Sequence, residues 1–160
     1  MLDDEGRAAL EAVYRSSGED LWRAILAFAG GRRDVADDVV AETFAQAAGR
    51  LRAIRDLRPW LYRSAFKIAA GELKRRSAAP GPLPADGSDD GPVFDEELTD
   101  MTDLVRVLSP AQRRAFVLRE LLGFSTSDAA QVLGSSEVSV RVHLHAARKR
   151  LQVELTEAAL

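Results

Sequence analysis

A stretch rich in proline, glycine and aspartate interrupts this sequence near its middle and constrains its fold more than any other feature. The residues from Ser77 to Asp90 read SAAPGPLPADGSDD and include hardly any large apolar side chain. Such a composition cannot bury enough apolar surface to form a core and is typical of a linker. We therefore predict two folded units, residues 1–76 and 104–160, joined by a tether over residues 77–103.

Apolar residues before the tether recur at helical spacing. One predicted helix presents Trp22, Ile25, Leu26 and Ala29 on one face. Gly30-Gly31 then supplies a helix stop, and Asp34 is predicted as the N-cap of the next helix. The apolar stripe of that next helix consists of Ala36, Val40, Phe44 and Ala47. A third helix is predicted from Pro59 to Arg76, and the absence of a strand pattern indicates a helical bundle.

The unit after the tether has the pattern of a helix-turn-helix. Ser109-Pro110-Ala111-Gln112 is a capping box, whose helix is predicted to end near Gly123. A short helix is predicted from Thr126 to Leu133, and Gly134-Ser135-Ser136 separates it from a last helix that begins at Glu137 and ends at about Val153. A short helix, a glycine turn and a longer basic helix are typical of DNA-binding domains.

The last helix carries two stripes at the same spacing. The predicted core stripe is Val140, Leu144, Ala147 and Leu151, and the neighbouring stripe is Arg141, His145, Arg148 and Gln152. A helix seated in the major groove needs such a wet, cationic side, because its first residues must reach base edges while flanking cations hold phosphates. A solvated amphipathic helix has the same pattern, so the stripes alone leave both interpretations open.

Charge is segregated along the chain although the net charge is only −3. Residues 1–48 carry 5 basic and 10 acidic side chains, whereas residues 49–76 carry 9 and 2. Residues 77–103 carry 0 and 8, and residues 104–160 carry 8 and 5. Two basic blocks therefore alternate with two acidic ones, and the net charge says little about partners.

Composition excludes several classes of protein. The chain has no cysteine, which excludes disulfides, thiolate catalysis and sulfur-ligated metals. It has no apolar run of ~18 residues and no secretory signal pattern, so we expect a cytoplasmic protein without membrane insertion. His143 and His145 diverge by about 200° around a helix, and no phosphate-binding loop or nucleophile elbow occurs. We therefore expect no enzymatic activity, no cofactor and no metal.

Motifs in both units together resemble the extracytoplasmic-function sigma factors of bacterial RNA polymerase. Asp37-Asp38-Val39-Val40-Ala41-Glu42-Thr43-Phe44 is similar to the acidic-apolar helix of that family. Pro59-Trp60-Leu61-Tyr62-Arg63 through Lys74-Arg75-Arg76 is similar to its aromatic-basic helix. Leu108-Ser109-Pro110-Ala111-Gln112-Arg113 through Ala147-Arg148-Lys149-Arg150-Leu151 is similar to its second DNA-binding domain. The resemblance covers nearly the whole chain and implies an all-α fold of two small helical domains joined by a flexible acidic linker, the second domain containing the helix-turn-helix.

The resemblance implies three binding surfaces. The polymerase clamp would be bound through Asp37, Asp38, Val39, Glu42 and Phe44. The promoter −10 element would be opened and held through Arg50, Arg52, Arg55, Arg58, Arg63, Lys67, Lys74, Arg75 and Arg76. The −35 element would be read through Ser136, Glu137, Ser139, Arg141, His145, Arg148 and Lys149. The implied partners are core RNA polymerase and promoter DNA, and an anti-sigma factor is a further one because such factors commonly inhibit this family.

Aromatic side chains in the basic helix offer surfaces on which single-stranded bases can stack. They are Trp60, Tyr62 and Phe66. For Trp60 we favour packing over base contact, because Leu61 and Ile68 belong to the same apolar side of the helix. The loop from Leu51 to Leu57 would form the pocket for an extruded base.

The sequence departs from the family pattern at four positions. Lys67 stands where the family usually has asparagine, and Gly71 where an acid is frequent. His143 and Ala146 occupy positions that are commonly basic. Two alternatives stay open at this point: a DNA-binding regulator that acts without the polymerase core, and a degenerate sigma-like protein that serves as a protein-interaction module.

Overall fold

The computed structural model describes residues 3–78 and 102–159, and all regular secondary structure in these ranges is helical. The all-α class predicted from the sequence is confirmed. The predicted tether lies for the most part outside the described residues. Within the described ranges, no helix is long and apolar enough to cross a membrane.

Three helices form the first half of the molecule: α1 (Asp4–Phe28), α2 (Arg33–Arg50) and α3 (Leu57–Ala78). Asp3 caps α1 by accepting a hydrogen bond from the Gly6 amide at 2.7 Å. The predicted stop after α1 is confirmed, because Gly30 and Gly31 have φ angles of 68° and 90°, which favour glycine. A 3₁₀ turn, Leu51–Ala53, connects α2 to the segment before α3.

Two predicted helix starts differ from the structure. Asp34 is not the N-cap of α2, since the helix begins one residue earlier, at Arg33, and Asp34 lies in its first turn. Helix α3 begins at Leu57 rather than at Pro59. Proline is tolerated there because the first backbone N–H groups of a helix have no intrahelical acceptor, so the missing donor costs little.

The second half begins with a helical turn at residues 102–105 and continues through α4 (Pro110–Phe116), α5 (Thr126–Leu133) and α6 (Glu137–Ala158). A π-helical turn, Val117–Leu121, extends α4. Both hydrogen bonds of the capping box at Ser109 are present, as predicted. Gly134 ends α5 with a φ of 63°, which produces the turn of the helix-turn-helix. Helix α6 ends at Ala158, beyond the predicted Val153.

The main hydrophobic core is continuous across both halves. Its members include Phe28 and Phe66 from the first half, whose ring centroids lie 5.4 Å apart. Phe124 of the second half packs edge-on against Tyr62 of α3, with 5.0 Å between centroids. A smaller cluster, which includes Val105, Leu144 and other apolar residues, belongs to the second half alone. The two predicted units are therefore packed together in this structure, while their separate functions remain a prediction.

Three arginines connect the halves by donating to backbone carbonyls. Arg113 donates to the Phe28 carbonyl at 2.8 Å, and Arg106 donates to the Gly30 carbonyl at 3.0 Å, both at the end of α1. Arg63 of α3 donates to the Val132 carbonyl at 3.1 Å, in the last turn of α5. The last carbonyls of a helix have no intrahelical partner and carry partial negative charge, so arginine is well suited to them. These bonds join the halves without any carboxylate.

Candidate nucleic-acid interface

The two predicted stripes of α6 are confirmed. The core stripe, Val140, Leu144, Ala147 and Leu151, is buried. The predicted −35 residues of the other side, Arg141, His145, Arg148 and Lys149, are exposed. A short helix α5, a left-handed glycine and this exposed cationic face together give the geometry with which a helix enters a major groove.

Several of the predicted −35 residues have intramolecular partners. Ser136 is the N-cap of α6, and its hydroxyl accepts a hydrogen bond from the Ser139 amide at 3.0 Å. Arg141 lies 3.9 Å from the Glu137 carboxylate, a loose pair that costs little to break. Arg148 donates through Nε to Glu120 at 2.9 Å. Sequence reasoning missed Glu120, because the partner stands 28 positions away, in the π-helical turn.

The predicted −10 residues that precede α3 are exposed. Arg50 and Arg55 face solvent, and Arg52 makes only a loose pair with Asp3 at 3.5 Å. An open cleft of about 590 Å³ lies between the first turn of α1 and the 3₁₀ turn Leu51–Ala53, with Arg50 and Arg52 in its lining. This cleft is large enough for a nucleobase and lies at the loop from which a base pocket was predicted.

The predicted −10 residues in the first half of α3 face the second half of the molecule. The Arg58 guanidinium lies 4.3 Å from the centre of the Phe124 ring, a cation–π contact. Arg63 is held by the carbonyls of α5, and Lys67 lines a cleft between α3 and the helix-turn-helix. These cations therefore have partners or neighbours from the second half where DNA was predicted.

The predicted stacking surfaces of α3 are only partly available. Tyr62 and Phe66 are 1% and 2% exposed, so neither can stack on a base in this arrangement, contrary to the prediction. Both rings contact apolar residues of a core that the sequence did not reveal as continuous. Trp60 is half-buried and packs against the same core, which confirms the preference for packing. The hydroxyl of Tyr62 is buried without a hydrogen-bond partner.

The last predicted −10 cations of α3 form an ion-pair network. Arg76 donates to Asp34 of α2 and to Glu72, which also pairs with Arg75. Partial burial opposes ionisation of Asp34, but the hydrogen bond and charge of Arg76 outweigh it and lower the pKa of this carboxyl. The hydrogen bond from Arg76 likewise lowers the pKa of Glu72. Lys74 is exposed beside this network.

The predicted polymerase-binding residues of α2 divide between surface and core. Asp38 and Glu42 are exposed, and Asp37 accepts a hydrogen bond from the Trp22 indole at 2.8 Å. Val39 was predicted to bind the polymerase, but it is only 1% exposed and lies in the core, so its side chain is not available to a partner. It belongs to the buried face because it lies three to four residues from Val35, Ala36 and Thr43, which are also buried.

A groove between α1 and α2 adjoins these acidic residues. Phe44 packs edge-on against Tyr14 of α1 with 5.1 Å between ring centroids, and Tyr14 is 58% exposed. Both rings line an open cleft of about 460 Å³ together with Trp22 and Asp37. Sequence reasoning missed Tyr14, because a single aromatic residue on the solvent side of a helix is common and does not by itself indicate a binding surface.

Comparison with known proteins agrees with the helix-turn-helix and extends the similarity to the first half. The family model for sigma-70, region 4 matches residues 98–151. The probable RNA polymerase sigma-C factor of Mycobacterium bovis is 34% identical over 156 residues, which cover 89% of this chain and 81% of that protein. The RNA polymerase sigma-E factor of Streptomyces coelicolor is 31% identical over 126 residues, and the match covers 75% of this chain and 71% of that protein.

Solved structures of sigma factors have the same arrangement of helices. CnrH, in complex with the cytosolic domain of CnrY, superposes with a TM-score of 0.74 at 25% identity, covering 94% of this chain and 90% of that one. The sigma factor RpoE of Bartonella quintana, in complex with the anti-sigma factor NepR, has a TM-score of 0.68 at 22% identity, with 91% and 98% covered. The fold, the family model and the curated relatives together define a sigma factor of the sigma-70 type. Within that class, the chain belongs to the extracytoplasmic-function RNA polymerase sigma factors.

Proposed function

We propose that this chain directs promoter-specific transcription initiation through three surfaces. Helix α2 would bind the polymerase clamp through Asp38 and Glu42. The basic region from Arg50 to Arg76 would hold the opened −10 element, and α6 would read the −35 element. The exposed cationic face of α6 on a helix-turn-helix is the observation that carries the proposal, because no packing within the described residues requires it.

The distance between the two promoter elements requires the halves to separate. The −10 and −35 elements lie about 25 base pairs apart, which is roughly 85 Å at 3.4 Å per base pair. A packed chain of 160 residues has a radius of gyration of only about 15 Å. The tether over residues 77–103 has a fully extended reach of roughly 90 Å, which matches the span. We therefore infer that the packed arrangement is a resting form, and that residues 1–76 and 104–160 act as separate units on DNA.

The groove beside α2 supports the proposal for the polymerase clamp. An apolar floor formed by Tyr14 and Phe44, bordered by Glu19 and Asp37, suits a helical partner with one apolar stripe and flanking cations, and the exposed Asp38 follows Asp37 on the same helix. Reversing the charge of Asp38 would place a cation against such a partner, at a cost that high salt reduces.

Regulation and location follow from the same proposal. Sigma factors are initiation factors without enzymatic activity of their own, and we propose that this chain acts in the cytoplasm, where the polymerase works. The RpoE relative was solved with an anti-sigma factor, and we propose an inhibitor of that kind as a further partner of this chain.

Transcript sequencing with purified chain and core polymerase tests the proposal. Start sites should share sequence elements near −10 and −35, and omission of the chain should abolish them. A regulator that acts without the polymerase core would instead bind DNA alone and leave start-site selection unchanged. Identical transcript start sites with and without the chain would refute the proposed function.

A further inference from the structure

A small cleft separates α3 from the helix-turn-helix. Its volume is about 180 Å³, below the ~300–1,000 Å³ of pockets that hold drug-sized ligands, so only a small molecule fits. The floor is apolar and includes Phe66 and Val132. The lining residues that carry polar side chains are Arg63, Lys67, Arg114, Ser135, Ser139 and His143. Because both halves contribute to this lining, the cleft exists only while they are packed together.

The charge in this cleft is one-sided. Arg63 and Lys67 come from α3 and Arg114 comes from α4, and no carboxylate is among the lining residues that the structure describes. Arg63 is fixed by hydrogen bonds to the Val132 and Gln131 carbonyls, whose partial negative charge offsets its full positive charge only in part. Arg63 and Lys67 are exposed and Arg114 is half-buried, and like charges brought together in one cleft repel each other, which opposes packing of the halves.

Other donors of the cleft are unused. Within residues 3–78 and 102–159, the side chains of Lys67, Arg114 and His143 make no hydrogen bond or ion pair. His143 is half-buried, so its imidazole is partly removed from water. The Ser135 and Ser139 hydroxyls add neutral donors to the same lining. A group that accepts several hydrogen bonds and carries negative charge would satisfy all of these side chains together.

We propose that this cleft binds a small phosphoryl anion of the size of pyrophosphate. Tetrahedral phosphoryl oxygens accept hydrogen bonds in several directions, which suits the cations of α3 and α4 together with the neutral donors of the helix-turn-helix. Such an anion contacts both halves and relieves their repulsion, so it stabilises the packed arrangement. It also occupies Lys67, a residue of the proposed −10 surface, and therefore opposes promoter binding.

Thermal unfolding of the full chain with sodium pyrophosphate tests the proposal. At a tenfold excess over the dissociation constant, the melting temperature should rise by about 3–6 °C, and at higher excess it should go on rising with the logarithm of the pyrophosphate concentration. Sodium chloride at the same ionic strength should not produce this rise. An equal rise with both salts means an adventitious ion only, and it overturns the proposal.

Two cleft variants and a matched control locate the site. Lys67→Gln and Arg114→Gln should each weaken pyrophosphate binding in calorimetry by tenfold or more, because each removes one charged donor from the cleft. Lys74→Gln removes the same charge from the same helix outside the cleft and should retain the wild-type affinity. Equal affinities in all four proteins would overturn the proposal.

Nucleic acid is the other source of phosphoryl groups, and the same variants distinguish it. Arg114→Gln should weaken the binding of pyrophosphate but should leave the binding of a single-stranded oligonucleotide unchanged. Oligonucleotide binding without pyrophosphate binding would overturn the site and assign Lys67 to the DNA surface alone. Start-site selection in the absence of pyrophosphate tests the proposed function independently, so failure of one does not imply failure of the other.

Discussion

Replacement of Tyr62 by phenylalanine tests whether the packed form limits DNA binding. The ring of Tyr62 is 1% exposed and packs against Phe124 of the other half, and its hydroxyl has no hydrogen-bond partner. A buried hydroxyl without a partner costs about 1–3 kcal/mol, because its bonds to water are lost. When the halves separate, the hydroxyl becomes hydrated. Tyr62→Phe should therefore favour the packed form by about 1 kcal/mol, which is roughly a fivefold change in population.

Two measurements check this expectation. Urea unfolding of the isolated chain should show the free energy of unfolding rising by about 1 kcal/mol in Tyr62→Phe. Tyr14→Phe is the matched control, because Tyr14 is 58% exposed and its hydroxyl stays hydrated, so its unfolding should not change. The concentration of chain needed for half-maximal promoter complex with core polymerase should rise about fivefold for Tyr62→Phe.

The rate of dissociation separates this effect from loss of a direct DNA contact. If the packed form is stabilised, complexes assemble less readily but, once formed, dissociate at the wild-type rate. If the Tyr62 hydroxyl contacts DNA, dissociation becomes faster. A lower free energy of unfolding, or a higher one with unchanged promoter binding, would refute the reasoning.

Three further predictions concern the polymerase-binding surface, the −35 surface and the effect of pH. Asp38→Arg should weaken core polymerase binding at low salt without loss of helix content by circular dichroism, and unchanged binding would contradict the assignment of α2. Arg141→Ala should cost ~1–3 kcal/mol on the preferred −35 sequence and less on scrambled DNA, whereas Arg148→Ala should weaken both equally, as measured by fluorescence anisotropy. Burial raises the pKa of Tyr62 to about 12, with the charge of Asp20 adding to this effect and Arg58 opposing it. Since the folded pKa lies above the unfolded value of ~10, the difference between the two contributes to the free energy of unfolding. This contribution is complete below pH 10 and is lost as the pH rises through 12. Urea unfolding of Tyr62→Phe should therefore show a smaller decline in the free energy of unfolding at alkaline pH.

Local signals in the sequence predicted the helices well. The capping residue Ser109 and the stop at Gly30 act within one turn of chain, and both have the predicted role. The start of α3 was wrongly predicted at Pro59, because proline fits any of the first positions of a helix. The stripes of α6 were correct because helical periodicity depends only on spacing along the chain.

The contacts between the halves could not be predicted in the same way. Arg63 was recognised as a cation but not as a donor to the Val132 carbonyl, 69 positions away, since a backbone carbonyl has no sequence signature. Tyr62 and Phe66 were correctly placed on a basic, aromatic helix, yet their burial depends on Phe124 and other apolar residues beyond the tether. Periodicity identifies an apolar face, but it does not identify what covers that face.

The choice of partners at this interface is compatible with the proposal that the same cations serve a packed form and a separated, DNA-bound form. Arg63 donates to carbonyls and Arg58 lies over an aromatic ring, so neither forms an ion pair that separation would have to break. After separation, both guanidinium groups are free for phosphate. Replacement of Arg63 by alanine therefore has two opposing effects: it removes a phosphate contact, and it weakens the packed form that competes with DNA. Arg55 is exposed in the packed form and has no second role, so its loss should reduce promoter affinity more than the loss of Arg63 does.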